Sequence, residues 1–175
     1  MDPSANHSDK PIPLLVTNHH VVEGARKGRI EFAAKDGDLP AKGEGIRVEV
    51  DGDALTKYGN PEYDLVAMPI APILNQLEES GRLAFFRAIV FSLIPTEETV
   101  QCLAAIEEVT FVGYPRGLYD ERNVSPLARR GIIATPIWND FEGKPVFVIA
   151  AGVFPGSSGS PVFCSTKAAT VPGAA

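Results

Sequence analysis

The residues with the clearest potential for chemistry lie near the end of the chain, where segment 154–161 reads Phe-Pro-Gly-Ser-Ser-Gly-Ser-Pro. Its central serine, Ser158, stands in a glycine-punctuated turn between two apolar, strand-like runs. A serine hydroxyl attacks a carbonyl carbon when a base removes its proton and backbone N–H groups stabilise the oxygen that becomes negative. The segment therefore predicts a nucleophile loop.

Glycine is the residue that such a loop requires next to its serine. Because Gly156 has no Cβ, the chain can adopt a positive φ there and direct the N–H groups of Gly156 and Ser158 towards one point, an oxyanion hole. The alternative is an ordinary surface turn, since Gly, Ser and Pro also cluster in turns for local conformational reasons. The octapeptide alone leaves both interpretations open.

A histidine and an aspartate upstream favour the chemical interpretation. His20 follows an apolar run that begins at Leu14, and Asp64 precedes another that begins at Leu65, so the chain order is His, Asp, Ser. Serine hydrolases on unrelated folds place these residues in different orders, and this order is that of chymotrypsin. An α/β-hydrolase would show Ser, Asp, His and a glycine two residues after the serine, where this chain has Ser160.

With these residues in view, the chain resembles the trypsin-like serine peptidases of the chymotrypsin fold, and their bacterial branch more than the digestive enzymes. Segment 17–22, Thr-Asn-His-His-Val-Val, is similar to the family's Thr-x-x-His-Val-Val, and segment 63–65, Tyr-Asp-Leu, to its Asp-Leu-Ala. Segment 156–161 is similar to its Gly-x-Ser-Gly-Gly-Pro. Segments 111–115 and 130–134 resemble strands of the second barrel, so the resemblance extends from Leu14 to Phe163.

The resemblance implies a role for each matched residue. His20, which immediately precedes the Val-Val pair, would be the general base, and its neighbour His19 would not. Asp64 would orient the imidazole, Ser158 would be the nucleophile, and the N–H groups of Gly156 and Ser158 would form the oxyanion hole. No cofactor and no metal are expected.

Several residues compete with these or depart from the family pattern. Asp51, Asp53 and Asp120 are alternative carboxylates, but only Asp64 has the family's context. Ser160 replaces the usual second glycine. Ser157 stands where the digestive enzymes carry an aspartate that captures a freed amino terminus, so activation by that route is not expected.

Composition narrows the classes of partner. The net charge of −6 argues against nucleic acid, because phosphate backbones favour clustered Lys and Arg. Four arginines between residues 116 and 130 share that stretch with Asp120 and Glu121, which favours a solvated face over an anion site. Without a signal-peptide pattern or a membrane-length apolar run, the sequence predicts a cytoplasmic protein. Its partner would be a peptide or protein substrate.

The periodicity predicts an all-β fold with a helical insertion. Residues 29–33 and 46–50 alternate apolar and polar side chains, as half-buried antiparallel strands do. Residues 1–108 would form an N-terminal barrel with a helical connection at about 72–106, and residues 109–175 a C-terminal barrel. Both would be antiparallel barrels of the six-stranded chymotrypsin type, and the sequence leaves open that both are incomplete. The apolar residues at helical spacing in 73–90 have two alternative roles: they pack on the barrels, or they bind a protein partner.

Compared with the family, the sequence looks truncated at both ends. It is therefore consistent with two functions. The first is a serine endopeptidase that hydrolyses peptide bonds through an acyl-enzyme. The second is a catalytically impaired or inactive fragment that acts as a binding module, since catalysis requires accurate placement of reacting groups.

Overall fold

The computed structural model describes residues 11–116 and 118–164, which contain ten short strands and four short helices. The strands are β1 (Leu14–Asn18), β2 (Lys27–Asp36), β3 (Leu39–Asp51), β4 (Gly59–Asn60), β5 (Leu65–Pro69), β6 (Ala84–Phe85), β7 (Glu108–Gly113), β8 (Leu127–Ile133), β9 (Ile149–Ala151) and β10 (Val162–Cys164). The helices are α1 (His19–Val22), α2 (Gly52–Thr56), α3 (Ala71–Glu79) and α4 (Glu97–Gln101), with a 3-10 turn at Phe91–Leu93.

The backbone forms two compact units, Met1–Ala88 and Ile89–Ala175. The first holds two three-stranded sheets with the orders β1-β5-β4 and β3-β2-β6, and the second a four-stranded sheet with the order β10-β7-β8-β9. Every pairing between these strands is antiparallel. The predicted all-β class is confirmed, and within the described residues the sheets do not close into barrels.

The longest pairing joins β2 and β3, the two strands predicted from alternating polarity. Their register runs from Lys27 opposite Asp51 to Asp36 opposite Leu39, with an irregularity between Ala33 and Lys35. Gly37 makes the turn at φ 58°, a left-handed conformation that glycine adopts without steric cost. The predicted antiparallel arrangement is confirmed.

The core of the first unit lies between its two sheets and helix α3. It is built from apolar side chains that all bury more than nine-tenths of their surface: Val22, Phe32, Ile46, Leu55, Val66, Met68, Ile70 and Leu77. In the second unit the most buried apolar residues of the sheet lie on β7 and β8, at Val109, Phe111 and Ile133. Hydrophobic burial thus stabilises β5, which follows Asp64, and the sheet whose strands β9 and β10 flank the Ser158 loop.

The segment predicted as a helical connection contains helices α3 and α4, with β6 and a 3-10 turn between them. Helix α3 forms, but it ends where Gly81 takes φ 74° and the N–H of Arg82 turns back to the carbonyl of Leu77. The following residues, predicted to continue at helical spacing, instead form β6 and pair with Ala33 and Ala34 of β2. Pairing with an exposed strand edge prevails over the helical periodicity.

Helix α4 is short and begins at a side-chain cap. The side chain of Thr96 accepts a hydrogen bond from the backbone N–H of Thr99, which makes Thr96 the N-cap. The helix ends at Gln101, and Ile106, at the end of the predicted helical connection, has φ 77° and donates its N–H to the carbonyl of Ile133 at 2.7 Å. Attachment to β8 thus removes Ile106 from the helix.

Replacement of Gly52 by alanine is expected to destabilise the first unit. Gly52 is buried, its N–H donates to the carbonyl of Arg26 at 3.0 Å, and an added Cβ would collide with the carbonyl oxygen of Ala25. Forcing a methyl group into such a site costs about 1–3 kcal/mol, which urea unfolding followed by circular dichroism would measure. The matched control is Gly152→Ala, since a Cβ there meets nothing within 4 Å. Equal midpoints for the two variants would contradict this packing.

Candidate active site

His20 and Asp64 are brought together by one strand pair. β1 and β5 are antiparallel, with Asn18 opposite Leu65. His20 follows the end of β1 in the short helix α1, and Asp64 immediately precedes β5. Antiparallel pairing places the end of one strand beside the start of the other, so residues 44 positions apart become neighbours.

The Asp64 carboxylate binds His20 with both of its oxygens. Oδ2 lies 2.7 Å from His20 Nδ1, and Oδ1 accepts a hydrogen bond from the His20 backbone N–H at 2.8 Å. An ionised carboxylate can only accept, so Nδ1 carries the proton, and in the neutral imidazole Nε2 is then the acceptor. The arrangement fixes both the orientation and the tautomer of the ring.

The backbone of Asp64 is also tied to the histidine segment. Its carbonyl oxygen accepts hydrogen bonds from the His19 N–H at 3.0 Å and from Asn18 Nδ2 at 3.1 Å. Asp64 has φ 51°, a conformation that few residues other than glycine adopt and that aspartate tolerates better than most. These contacts hold Asp64 in an otherwise unfavourable conformation, and such strain is concentrated at functional sites.

The competing residues have local structural roles. The ring of His19 packs over Gly59, where an added Cβ would lie 2.8 Å from its Cδ2. Asp51 caps α2, and its side chain accepts a hydrogen bond from the Asp53 N–H. The Asp120 carboxylate accepts from the N–H groups of Arg122 and Asn123 within its own turn.

Ser158 lies in the second unit, in the loop between β9 and β10. The loop is folded by short-range hydrogen bonds: the Ser157 N–H donates to the carbonyl of Phe154 at 3.2 Å, and the Ser160 N–H donates to the carbonyl of Ser157 at 3.1 Å. Gly156 has φ 86°, which agrees with the positive φ predicted from the sequence. Ser158 is exposed at the surface of this unit.

Arg129, which was predicted to lie on a solvated face, instead forms a hydrogen bond to this loop. Arg129 Nη1 donates to Ser157 Oγ at 2.8 Å, and the guanidinium lies over the Phe111 ring with Cζ 4.3 Å from its centroid. The signal that could have revealed Arg129 is its position in β8: counting back by twos from the apolar Ile133 puts it on the inward face.

A model of the trypsin-like peptidase domain matches residues 5–170, nearly the whole chain. The chain belongs to this family. No curated protein and no solved structure matches it. Membership identifies the all-β fold as that of the chymotrypsin-like peptidases and supports a peptidase function, with peptides or proteins as substrates.

In this trypsin-like peptidase domain, the described residues contain no group of three or more His, Cys, Asp or Glu side chains that could hold a metal ion. No helix in the same residues is long and apolar enough to span a bilayer.

The contact between His20 and Asp64 should make the thermal stability of this trypsin-like peptidase domain depend on pH in the acidic range. Hydrogen bonds from the backbone N–H and side chain of His20 lower the pKa of Asp64 below its ordinary value of 3.8. A carboxyl group whose pKa is lower in the folded state stabilises the fold above the unfolded pKa, and this contribution is lost as pH falls through the folded pKa. Thermal unfolding from pH 6 to pH 2 should therefore show Asp64→Asn less stable at pH 6, with the gap closing below about pH 4.

The comparison isolates Asp64, because Asp120, whose pKa is lowered chiefly by hydrogen bonds from Asn123, is present in both proteins. A gap that stays constant over this range would show that the contact does not favour the charged carboxylate.

Proposed function

We propose that this protein is a serine endopeptidase that hydrolyses peptide bonds through an acyl-enzyme. Ser158 is the nucleophile, His20 its general base and Asp64 the carboxylate that orients the imidazole. The observation that carries the proposal is the double contact of Asp64 with His20, at 2.7 and 2.8 Å. That contact leaves Nε2 free of a proton and able to accept one, and a serine becomes a nucleophile when such a base removes its hydroxyl proton.

The proposed reaction has two halves. In the first, His20 Nε2 takes the proton from Ser158 Oγ as this oxygen bonds to the substrate carbonyl carbon. The intermediate then collapses, the C–N bond breaks, and the imidazolium gives its proton to the leaving amine. In the second half, water attacks the Ser158 ester with His20 again as base, which releases the acid and restores the serine. Each step uses groups of the chain and water.

The loop conformation supports the proposed oxyanion hole. A positive φ at Gly156 is the backbone state in which successive N–H groups can face one anion. A side chain is also excluded there, because an added Cβ would lie 2.8 Å from the backbone nitrogen of Arg116. The N–H groups of Gly156 and Ser158 are the proposed donors.

A fluorophosphonate probe tests the proposal directly, since it phosphonylates only serines that a base activates. The folded protein should acquire one adduct, and peptide mass spectrometry should place it on Ser158. The matched control is the same protein denatured in urea before the probe is added, which should remain unlabelled. Absence of an adduct from the folded protein, or an adduct on another serine, would refute the proposed nucleophile.

The alternative is a binding module that keeps the peptidase fold without turnover. Its support is the apolar exposure in 73–90, the segment left open either to packing on the barrels or to binding a protein partner, where Phe86, Ile89 and Val90 are 41%, 50% and 54% exposed. Exposed apolar side chains are a feature of interaction surfaces. A folded protein that fails to react with the probe would favour this function over the peptidase.

A further inference from the structure

Arg129 has a contact pattern that a surface arginine does not have. It pairs with Phe111 across β7 and β8, and its guanidinium stacks on that ring at 4.3 Å. Phe111 is only 3% exposed. Stacking between a cation and an aromatic face is favourable, and more so where water is excluded.

The rest of the guanidinium is buried with few partners. Nη1 donates to Ser157 Oγ at 2.8 Å, whereas Nε and Nη2 are buried and have no hydrogen-bond partner. Burying a charged donor without a partner is unfavourable. The side chain therefore occupies this position at an energetic cost, and Ser157 is its hydrogen-bond partner in the structure.

Through Ser157, Arg129 connects the sheet to the loop. Ser157 Oγ accepts from Arg129 and donates to the carbonyl of Phe154 at 2.6 Å, and the Ser157 carbonyl accepts from the Ser160 N–H. The two hydrogen bonds of one hydroxyl thus join β8 to the start of the loop. Ser157 is the residue immediately before Ser158.

Gly113 of β7 allows this packing. A Cβ at Gly113 would collide with Ser160 Oγ and would lie 3.8 Å from Arg129 Nη2. The missing side chain lets the loop and the arginine approach the same strand. The sheet, the guanidinium and the loop therefore pack against one another.

We propose that Arg129 is a positioning residue that holds the 154–160 loop, and with it the Ser158 hydroxyl, in one conformation through the hydrogen bond to Ser157. The catalytic consequence rests on the proposed peptidase function, whereas the structural consequence for the loop does not. In this proposal Arg129 acts on Ser158 through Ser157 and takes no part in the bond-making steps.

The test compares Arg129→Met with Arg130→Met in the full chain. Methionine keeps an apolar stem over Phe111 and removes the donor, whereas Arg130 is the exposed neighbour on the opposite face of β8. Arg129→Met should speed amide hydrogen exchange in peptides spanning 154–160 by about tenfold or more, and slow fluorophosphonate labelling by about 10- to 100-fold. Arg130→Met should leave both within about twofold.

Two further variants complete the test. Ser157→Ala removes both hydrogen bonds of this hydroxyl, the one from Arg129 and the one to the Phe154 carbonyl, and should produce effects at least as large, so the proposal remains falsifiable even if Arg129→Met does not fold. Arg129→Lys keeps a donor and should restore part of the labelling rate. Loop exchange in Ser157→Ala equal to that of the unmodified chain would overturn the proposal. If the unmodified chain itself is not labelled, the peptidase proposal fails while the exchange comparison still decides the role of Arg129.

Discussion

Ser158→Ala and His20→Ala are each expected to reduce peptide hydrolysis by about four to six orders of magnitude, to the level left by substrate binding and the oxyanion donors. Without the Ser158 hydroxyl no acyl-enzyme can form, and without the His20 imidazole no group takes its proton. Because the two residues act in the same step, the double variant should be no slower than either single variant. Release of fluorescent fragments from labelled casein at pH 7.5 would measure the effect.

The controls are the adjacent residues of the same type. Ser160→Ala removes a hydroxyl in the same loop, and His19→Ala removes the imidazole next to His20 while keeping the backbone hydrogen bond to Asp64. Both should keep activity within about tenfold of the unmodified chain. If Ser158→Ala still hydrolyses casein, Ser158 is not the nucleophile. If His19→Ala loses activity while His20→Ala keeps it, His19 and not His20 is the base.

Asp64→Asn is expected to lower turnover by about 10⁴-fold with the fold intact. The backbone N–H of His20 donates to Oδ1 of Asp64, so an asparagine must place its carbonyl oxygen there and its NH₂ group towards Nδ1. Nδ1 is then forced to accept, and the proton moves to Nε2, where the serine proton should go. Turnover against pH, together with the nitrogen chemical shifts of His20, would measure the loss and the tautomer.

Asp53→Asn is the matched control. It removes one negative charge from the same unit, at a carboxylate that the sequence analysis considered as an alternative to Asp64. It should retain activity within about twofold, since its side chain lies in the first turn of α2. Full activity in Asp64→Asn would show that the histidine does not depend on this carboxylate.

The sequence was sufficient to predict the contact between His20 and Asp64, and insufficient to predict its form. Motif context selected the two residues, and the resemblance to the trypsin-like peptidases implied that Asp64 orients the His20 imidazole. The double hydrogen bond depends on φ 51° at Asp64 and on the extra bonds from Asn18 and His19. Tertiary contacts stabilise that backbone state, and no local propensity indicates it.

Errors in the fold prediction also came from tertiary contacts. Residues 83–90 have helical periodicity, yet Ala84 and Phe85 complete a sheet on β2. Arg129 belongs to the 116–130 stretch that was predicted to be a solvated face, yet its position in β8 directs it towards Phe111 and the loop. Composition averages over both faces of a strand, whereas register decides which face a side chain occupies.

The central proposal is that His20 removes the proton from Ser158 Oγ as this oxygen attacks the substrate carbonyl carbon. The most direct measurement is a crystal structure of the protein after reaction with a fluorophosphonate. The account predicts phosphorus bonded to Ser158 Oγ, with His20 Nε2 within about 3 Å of that oxygen and Nδ1 still bound to Asp64. An adduct elsewhere, or an imidazole beyond reach of both Ser158 Oγ and a bridging water, would contradict it.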